Sequence, residues 1–521
     1  MPKARNHRGG GRAARLRAGD TSDNETRNEA KGLESGAFNS LTSVEMQSIH
    51  SAALDILENV GFADAPQSTI EYLTSAGCWI SDHGRVCFPR SLVEDTIANA
   101  RKNLTIFGQD PKHDIDASSS KAYYSTGCGS VKVVDPEERT VRPVTTRDIY
   151  DFARLTDTLD NIHMFHRLGI PTEIEDTDDV DINLCYAAVR GTSKPVSSSW
   201  FNGENVSRSI EMMHMIAGGE DKWRARPFVI NTCTFVVSPL KFSPEACVGL
   251  EHSVRGGMPV QVTSSGQQGA TAPVSIGGTI VQTMAEVLCG LVYACQVSPD
   301  ARVILGTWPM VSDLRTGAAT TGSPEQGLLS SASCQMARFY GLPNGSISGV
   351  SDSKLPDIQC GLEKGLQHTL VGNSGGNILF CSAGALAGGL GCSHAELVID
   401  NEIIGAALRT VKGFDISHHE LAVDTIRKIC LDGPGHYLGH TETLARMKGD
   451  FFYPEVSDRS SLNDWTESGT PSMVENAQKF VEDRLNSHFP THINVETDER
   501  LHEKYRLFLE PVASIASIEF D

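Results

Sequence analysis

The chain has 521 residues, 40% hydrophobic and 21% charged, enough to bury a large core as one elaborated barrel or as two or three domains. A net charge of −20 argues against a nucleic-acid partner, because polyphosphate affinity comes from clustered Lys and Arg releasing counterions. The 13 cysteines are scattered through apolar stretches, and the longest apolar candidate near Met284 to Val297 is broken by Glu286 and Gln296; a reducing cytoplasm and no membrane partner are expected.

In chain order, residues 1–36 read as a disordered tail. Met1 to Gly19 holds six basic residues and no acidic one, Gly9 to Gly11 break the amphipathic helix of a presequence, and Asp20 to Glu34 is polar. Order is expected from about Ala37, where Thr42 or Ser43 can cap a helix with apolar residues at Ile49, Ala53, Ile56, Leu57 and Val60. Helices follow at Ser68 to Ser75 and Arg90 to Ala100, with a hairpin at Cys78 to Phe88 turning on Asp82, His83 and Gly84. With the β-like stretch Ala122 to Val144 they make an N-terminal α+β region, 37–144.

From Thr145 helical patterns alternate with short Val-, Ile- and Phe-rich runs, which predicts parallel strands with crossover helices. The strands are Pro227 to Val237, Pro259 to Thr263, Arg302 to Thr307, Ser346 to Val350 and Asn377 to Ser382. The helices are Ser243 to Arg255, Thr279 to Gln296, Pro324 to Tyr340, Asp357 to Val371 and Ser393 to Thr410. Material around Asn161 to Met164 and Ser193 to Phe201 can complete eight units. The fold expected for residues 145–414 is therefore a TIM-like (β/α)8 barrel, with its chemistry on the loops that follow the strands. Residues 415–521 read as a C-terminal helical extension, with helices at His419 to Cys430 and Ser472 to Asn486 that could cap the barrel or join copies in a homo-oligomer; Val512 to Asp521 is expected to be loosely attached.

Several constellations compete with plainer explanations. Cys381, Cys392 and His394 have thiolate and imidazole chemistry suited to zinc, but the spacing matches no known finger and no fourth ligand follows, so no metal is assigned. The run Gly384 to Gly391 fits neither a dinucleotide nor a P-loop pattern and reads as a tight loop lining the mouth. Trp200, Phe201 and Trp308 fall at strand ends, where they can be core packing or can receive a methylated ammonium on a ring face. Glu286, inside the apolar stretch Thr283 to Val292, is either an exposed helix residue or a costly carboxylate kept for a site.

The fourth unit is specific. Gly341-Leu342-Pro343, then Gly349-Val350-Ser351-Asp352-Ser353-Lys354-Leu355-Pro356-Asp357, then Gln359 and Glu363-Lys364, resemble the trimethylamine methyltransferase family. Ser238-Pro239-Leu240, Ala285-Glu286-Val287-Leu288, Gly322-Ser323-Pro324-Glu325 and Leu397-Val398-Ile399-Asp400-Asn401 extend the likeness over most of the chain. The resemblance implies a barrel that moves a methyl group from a small methylated amine to the Co(I) corrinoid of a separate corrinoid protein. No Asp-x-His-x-x-Gly corrinoid motif occurs here, so that cofactor is expected on the partner and none on this chain.

Members that use trimethylamine carry pyrrolysine where this sequence has Val350. Valine cannot form the covalent adduct that makes a tertiary amine a better leaving group, and members without pyrrolysine resemble demethylases of glycine betaine and related quaternary amines. The expected reaction centre is Val350 with Glu286 and Asp352 as counter-charges. Trp308, Trp200 and Phe201 are expected to hold the ammonium, and Gln267, Arg315 or Lys354 a carboxylate. Two alternatives stand beside this: trimethylamine itself as substrate, and a non-catalytic intracellular binder of a methylated osmolyte.

Overall fold

The computed structural model describes residues 33–511 except 119 and 418; the basic tail to residue 32 and the final stretch from Val512 lie outside the described residues. Eight short strands lie parallel: β1 (Lys121–Thr126), β2 (Phe165–His166), β3 (Val196–Ser198), β4 (Val229–Cys233), β5 (Val260–Ser264), β6 (Val303–Thr307), β7 (Asn344–Ile347) and β8 (Ile378–Ala383). Neighbours pair in chain order from β2 to β8, with Asn231 opposite Val260 and Val260 opposite Val303, and β8 returns to β1 through Ile378 opposite Tyr123. Single bridges, Ser125 to Met164 and Cys128 to Leu168, join β1 to β2 and close the barrel.

Each strand is followed by a helix: α1 (Thr146–Thr158), α2 (Thr177–Gly191), α3 (Asn205–Ala217), α4 (Pro244–Arg255), α5 (Ile276–Val297), α6 (Pro324–Tyr340), α7 (Ile358–Gly372) and α8 (His394–Val411). The five strands and five helices expected from Pro227 onward stand within a few residues of their predicted bounds. The eighth unit is where the structure differs. Strand β1 lies in the stretch assigned to the N-terminal region, because a hairpin, Lys132–Asp135 with Thr140–Pro143, intervenes before α1 and hides the strand-to-helix alternation. The tail also becomes ordered earlier than Ala37: Leu33–Glu34 pairs antiparallel with the start of β1, and Ser35 Oγ donates to the Gly372 carbonyl.

Helix α5 is long and apolar enough to cross a membrane, contrary to the reading from Met284 to Val297, but most of it is packed inside the protein. It lies against the N-terminal helices Ser43–Asn59, Gln67–Ser75 and Arg90–Asn99, so the apolar surface that lengthens it is covered by that layer. The first of these helices begins with the Thr42–Glu45 capping box, each side chain bonding the other's backbone N–H. At the other end of the chain, the helix Met473–Ser487 packs on α8 and α1, where the buried Arg154 guanidinium donates to the Leu485 and His488 carbonyls at the helix C-terminus.

The barrel interior is itself a core. A hairpin, Thr105–Ile106 with Ile115–Asp116, sends Leu104, Ile106, Ile115 and Ala117 into one cluster with Tyr123, Ile230, Ile304 and Ile378. These last four residues sit early in their strands, so the hairpin plugs the N-terminal end and leaves the C-terminal mouth as the open one. The same cluster ends at the mouth with Val350, Cys381 and Trp308.

Candidate active site

Val350 follows β7, and the backbone that carries it is clamped from two sides. From α7, Gln367 Oε1 accepts from Gly349 N (3.1 Å), Glu363 Oε2 accepts from Ser351 Oγ (2.6 Å) and Asp352 N (2.9 Å), and His368 Nδ1 meets Ser348 Oγ (3.0 Å). From the loop after β8, Gly388 N and Ala387 N donate to the carbonyls of Ser351 and Ser353. Gly349 adopts φ +80°, and a Cβ there would collide with the His368 ring, so only glycine fits the turn that presents Val350. Val350 is 4% exposed.

Beneath the α7 clamp lies a buried charge cluster. Lys364 Nζ sits 2.7 Å from Glu396 and 2.5 Å from Asp400, all three fully buried, and Asp400 accepts from Gly384 N (2.7 Å) at the end of β8. The Glu363-Lys364 pair of the sequence motif is therefore a bracket. Glu363 fixes the loop after β7, and Lys364 ties α7 to α8 and to the loop after β8.

Aromatic rings face Val350 within the interior cluster. Trp308 and Phe380 are 5.4 Å apart, tilted by 49°, and His166 meets them edge-on at 5.9 and 5.3 Å. Gly127, at φ +144°, leaves the space that the His166 ring occupies. Burial, with the neighbouring Arg167 charge, pushes the His166 imidazole down to about 3, so it is neutral at ordinary pH. The Cys381 thiol is pushed well up by its hydrogen bond with Cys128 and by burial. Neither His166 nor Cys381 is therefore poised to donate a proton near neutral pH.

Other anticipated residues lie elsewhere. Glu286 is buried, but its carboxylate accepts from Ser238 Oγ (2.7 Å), Leu240 N (3.0 Å), Ser264 Oγ (2.5 Å) and Gln282 Nε2 (3.1 Å), which ties the loop after β4 to the end of β5. Burial raises its pKa and the four donors oppose that shift. Asp352 likewise accepts from Thr320 Oγ1, Thr321 N and Oγ1, and Gly322 N, and staples the loop after β6. Both carboxylates are thus held by neutral donors of the loops at the mouth.

Of the carboxylate receivers, Arg315 is 89% exposed and forked onto Asp313, Lys354 is exposed and donates to the Asp352 carbonyl, and Gln267 stands in a short strand beside Met310. The first two are loop braces, and Gln267 stands nearest the cluster, since its neighbour Met310 packs on it. Trp200 packs against the outer helical core and donates to Ser209 Oγ of α3 (2.8 Å), so it does not join the cage; Phe201 sits at the rim under the Arg167 guanidinium (5.6 Å). Cys381, Cys392 and His394 diverge: Cys381 turns to Cys128, Cys392 donates to the Lys132 carbonyl, and His394 stacks on Phe152 at 4.0 Å.

Sequence reasoning missed His166, Arg167, Gln261 and Phe380. Phe380 was legible as an aromatic near the end of a predicted strand; His166 ends, and Arg167 follows, a strand only two residues long that gave no periodic signal. The atoms Trp308 Nε1, His166 Nδ1, Arg167 Nε and Gln261 Oε1 are buried without a hydrogen-bond partner among the described residues. In a protein interior such groups mark a place where a ligand or water belongs.

A closed (β/α)8 barrel with a clamped loop and an aromatic cluster at its C-terminal mouth defines a barrel enzyme with its site on the strand-end loops. Residues 8–506 match the family described as trimethylamine methyltransferase (MTTB), and the chain belongs to that family. The trimethylamine methyltransferase MttB of Methanosarcina barkeri (strain Fusaro) is 30% identical over 474 residues, covering 90% of this chain and 94% of that protein. The glycine betaine methyltransferase of Desulfitobacterium hafniense (strain Y51) is 28% identical over 467 residues, covering 89% and 96%. The crystal structure of the Methanosarcina barkeri monomethylamine methyltransferase (MtmB) superposes with a TM-score of 0.43 at 14% identity, covering 88% of this chain and 96% of that one. The protein is an enzyme, a methyltransferase of the family that acts on methylated amines.

Proposed function

We propose that this enzyme is a soluble, cytoplasmic methyltransferase that moves a methyl group from a quaternary ammonium compound to the Co(I) corrinoid of a separate corrinoid protein, with Val350 at the reaction centre. The observation that carries this reading is the chemistry around Val350: an aliphatic side chain in one cluster with Trp308 and Phe380, whose neighbouring imidazole, His166, is neutral and has no acidic proton for a departing amine. A quaternary nitrogen needs neither acid nor covalent activation. The carbon–nitrogen bond breaks with its electron pair left on nitrogen, and a neutral tertiary amine departs.

The corrinoid, as methyl acceptor, supplies the electron pair for the new bond to carbon. This chain supplies position. The partly exposed Trp308 ring, backed by the buried Phe380, holds the cation on its face, a contact contributing about 0.5–2 kcal/mol, and the clamped Val350 limits where the methyl can sit. The rim suits a protein partner. The loops after β3, β4, β5, β6 and β8 carry the exposed apolar side chains Phe201, Val237, Val274, Leu314 and Leu390, and Ile358 is exposed at the start of α7. Apolar groups ringing a mouth mark a docking surface, and docking there brings the acceptor over the cage.

The test is to offer glycine betaine and trimethylamine separately to the purified enzyme with reduced corrinoid and follow loss of Co(I) absorbance. Turnover with the quaternary amine and none with trimethylamine is expected. The reverse preference defeats the reading.

A further inference from the structure

We propose that Arg167 receives the carboxylate of a zwitterionic substrate whose ammonium end lies in the Trp308–Phe380–His166 cage; this deepens, and rests on, the quaternary-amine reading. Arg167 is the first residue after β2, at the mouth, next in sequence to His166 of the cage. Its guanidinium lies over the Phe201 ring at 5.6 Å, and it shares its corner with Cys128 and Cys381. It is largely buried, and among the described residues its guanidinium makes no hydrogen bond or ion pair.

Arg190, buried on α2, also leaves Nε and Nη2 without a partner among the described residues, but it lies in the outer helical layer against Tyr150 and Tyr186, away from the mouth. Buried Arg154 spends its donors on Asp151 and two carbonyls, and half-buried Arg226 forks onto Asp114 at 2.7 and 3.0 Å. The carboxylate with the strongest electrostatic influence on Arg167 is Asp181, but Asp181 already accepts from Phe201 N, Asn202 N and Asn205 Nδ2. Arg167 therefore has a carboxylate nearby but none bonded to it, its Nε is buried without a partner among the described residues, and its position at the mouth leaves room for a bound anion to take that place. Trp308 Nε1 is a second buried donor without a partner, so the cage wall also calls for an acceptor.

In this arrangement the rings receive the cation and Arg167 the anion. Choline and tetramethylammonium offer Arg167 nothing, and bring a second positive charge beside it. A carboxylate on a short tether from the nitrogen neutralises Arg167 and keeps the methyls against the rings.

The experiment compares wild type, Arg167→Gln and Arg167→Lys on glycine betaine, choline and tetramethylammonium, measuring kcat and KM with cob(I)alamin and glycine betaine binding by calorimetry. Removing one partner of a buried charge pair corresponds to roughly a 30-fold or larger loss of affinity. In Arg167→Gln the glycine betaine KM and Kd are therefore expected to rise by that factor with its kcat within about twofold, the carboxylate-free cations are expected to bind no worse than to wild type, and Arg167→Lys should fall between wild type and Arg167→Gln. A folded Arg167→Gln enzyme that binds glycine betaine as wild type does overturns the proposal, as does an equal loss on all three compounds. Wild type that prefers choline or tetramethylammonium overturns it and leaves the quaternary-amine reading standing. If no amine supports methyl transfer, that reading fails, and the calorimetric comparison still decides whether Arg167 binds the carboxylate.

Discussion

Replacing Trp308 with leucine removes a ring face and keeps apolar bulk. Trp308 is partly buried against Phe380 and His166, so a cation bound there is substantially desolvated, and the upper part of the cation–π range, about 1–2 kcal/mol, applies. At 1.4 kcal/mol per tenfold, that is a rise of roughly 5–30-fold in Kd. Trp308→Phe, which keeps a weaker ring face, should stay within about fivefold. The assay is calorimetric binding of glycine betaine beside its carbon isostere 3,3-dimethylbutyrate, which has the same shape and carboxylate but no positive charge. Wild type should prefer the cation, and Trp308→Leu should lose most of that preference. If the substitution weakens both ligands equally, the ring acts through apolar contact alone and the cage argument is refuted.

Three further outcomes are expected. Lys364→Met strands Glu396 and Asp400 together in the interior without a cation, and should cost about 3–5 kcal/mol in chemical denaturation; an unchanged midpoint would show that the bracket is not held by charge. Burial and the Lys194 charge hold the His163 pKa down to about 3, against 6.5 for the free side chain, so between those pH values the unfolded chain binds a proton that the folded one refuses. The stability present above pH 6.5 is therefore lost as pH falls toward 3; His163→Asn, which can keep an acceptor for Tyr124 N, should lose about 1–2 kcal/mol less than wild type between pH 7.5 and 5 by urea titration. Ile358→Glu and Leu314→Glu at the rim should raise the KM for a corrinoid protein by roughly tenfold and leave transfer to free cob(I)alamin unchanged.

The barrel was legible where helix and strand periods alternate without interruption, from Val229 onward. It was obscured at β1, where the hairpin after Thr126 separates strand from helix, and at β2, whose two residues carry no period. At the site, the run from Gly349 to Asp357 marked the loop that carries Val350, and Trp308 fell at a strand end beside it. Glu286 and Asp352 drew attention because carboxylates in apolar or loop sequence are conspicuous, but hydrogen-bond partners supplied by distant loops cannot be read from one stretch of chain. Arg167 shows the converse: its significance lies in the partners it lacks, which only the folded molecule displays.

The central claim is most directly tested by a single-turnover reaction of the purified enzyme with a reduced corrinoid protein and methyl-labelled glycine betaine, quantifying label on cobalt and the demethylated amine. The account predicts one labelled methyl transferred and one dimethylglycine released per Co(I) consumed, with trimethylamine inert under the same conditions. Transfer from trimethylamine with glycine betaine inert would contradict it.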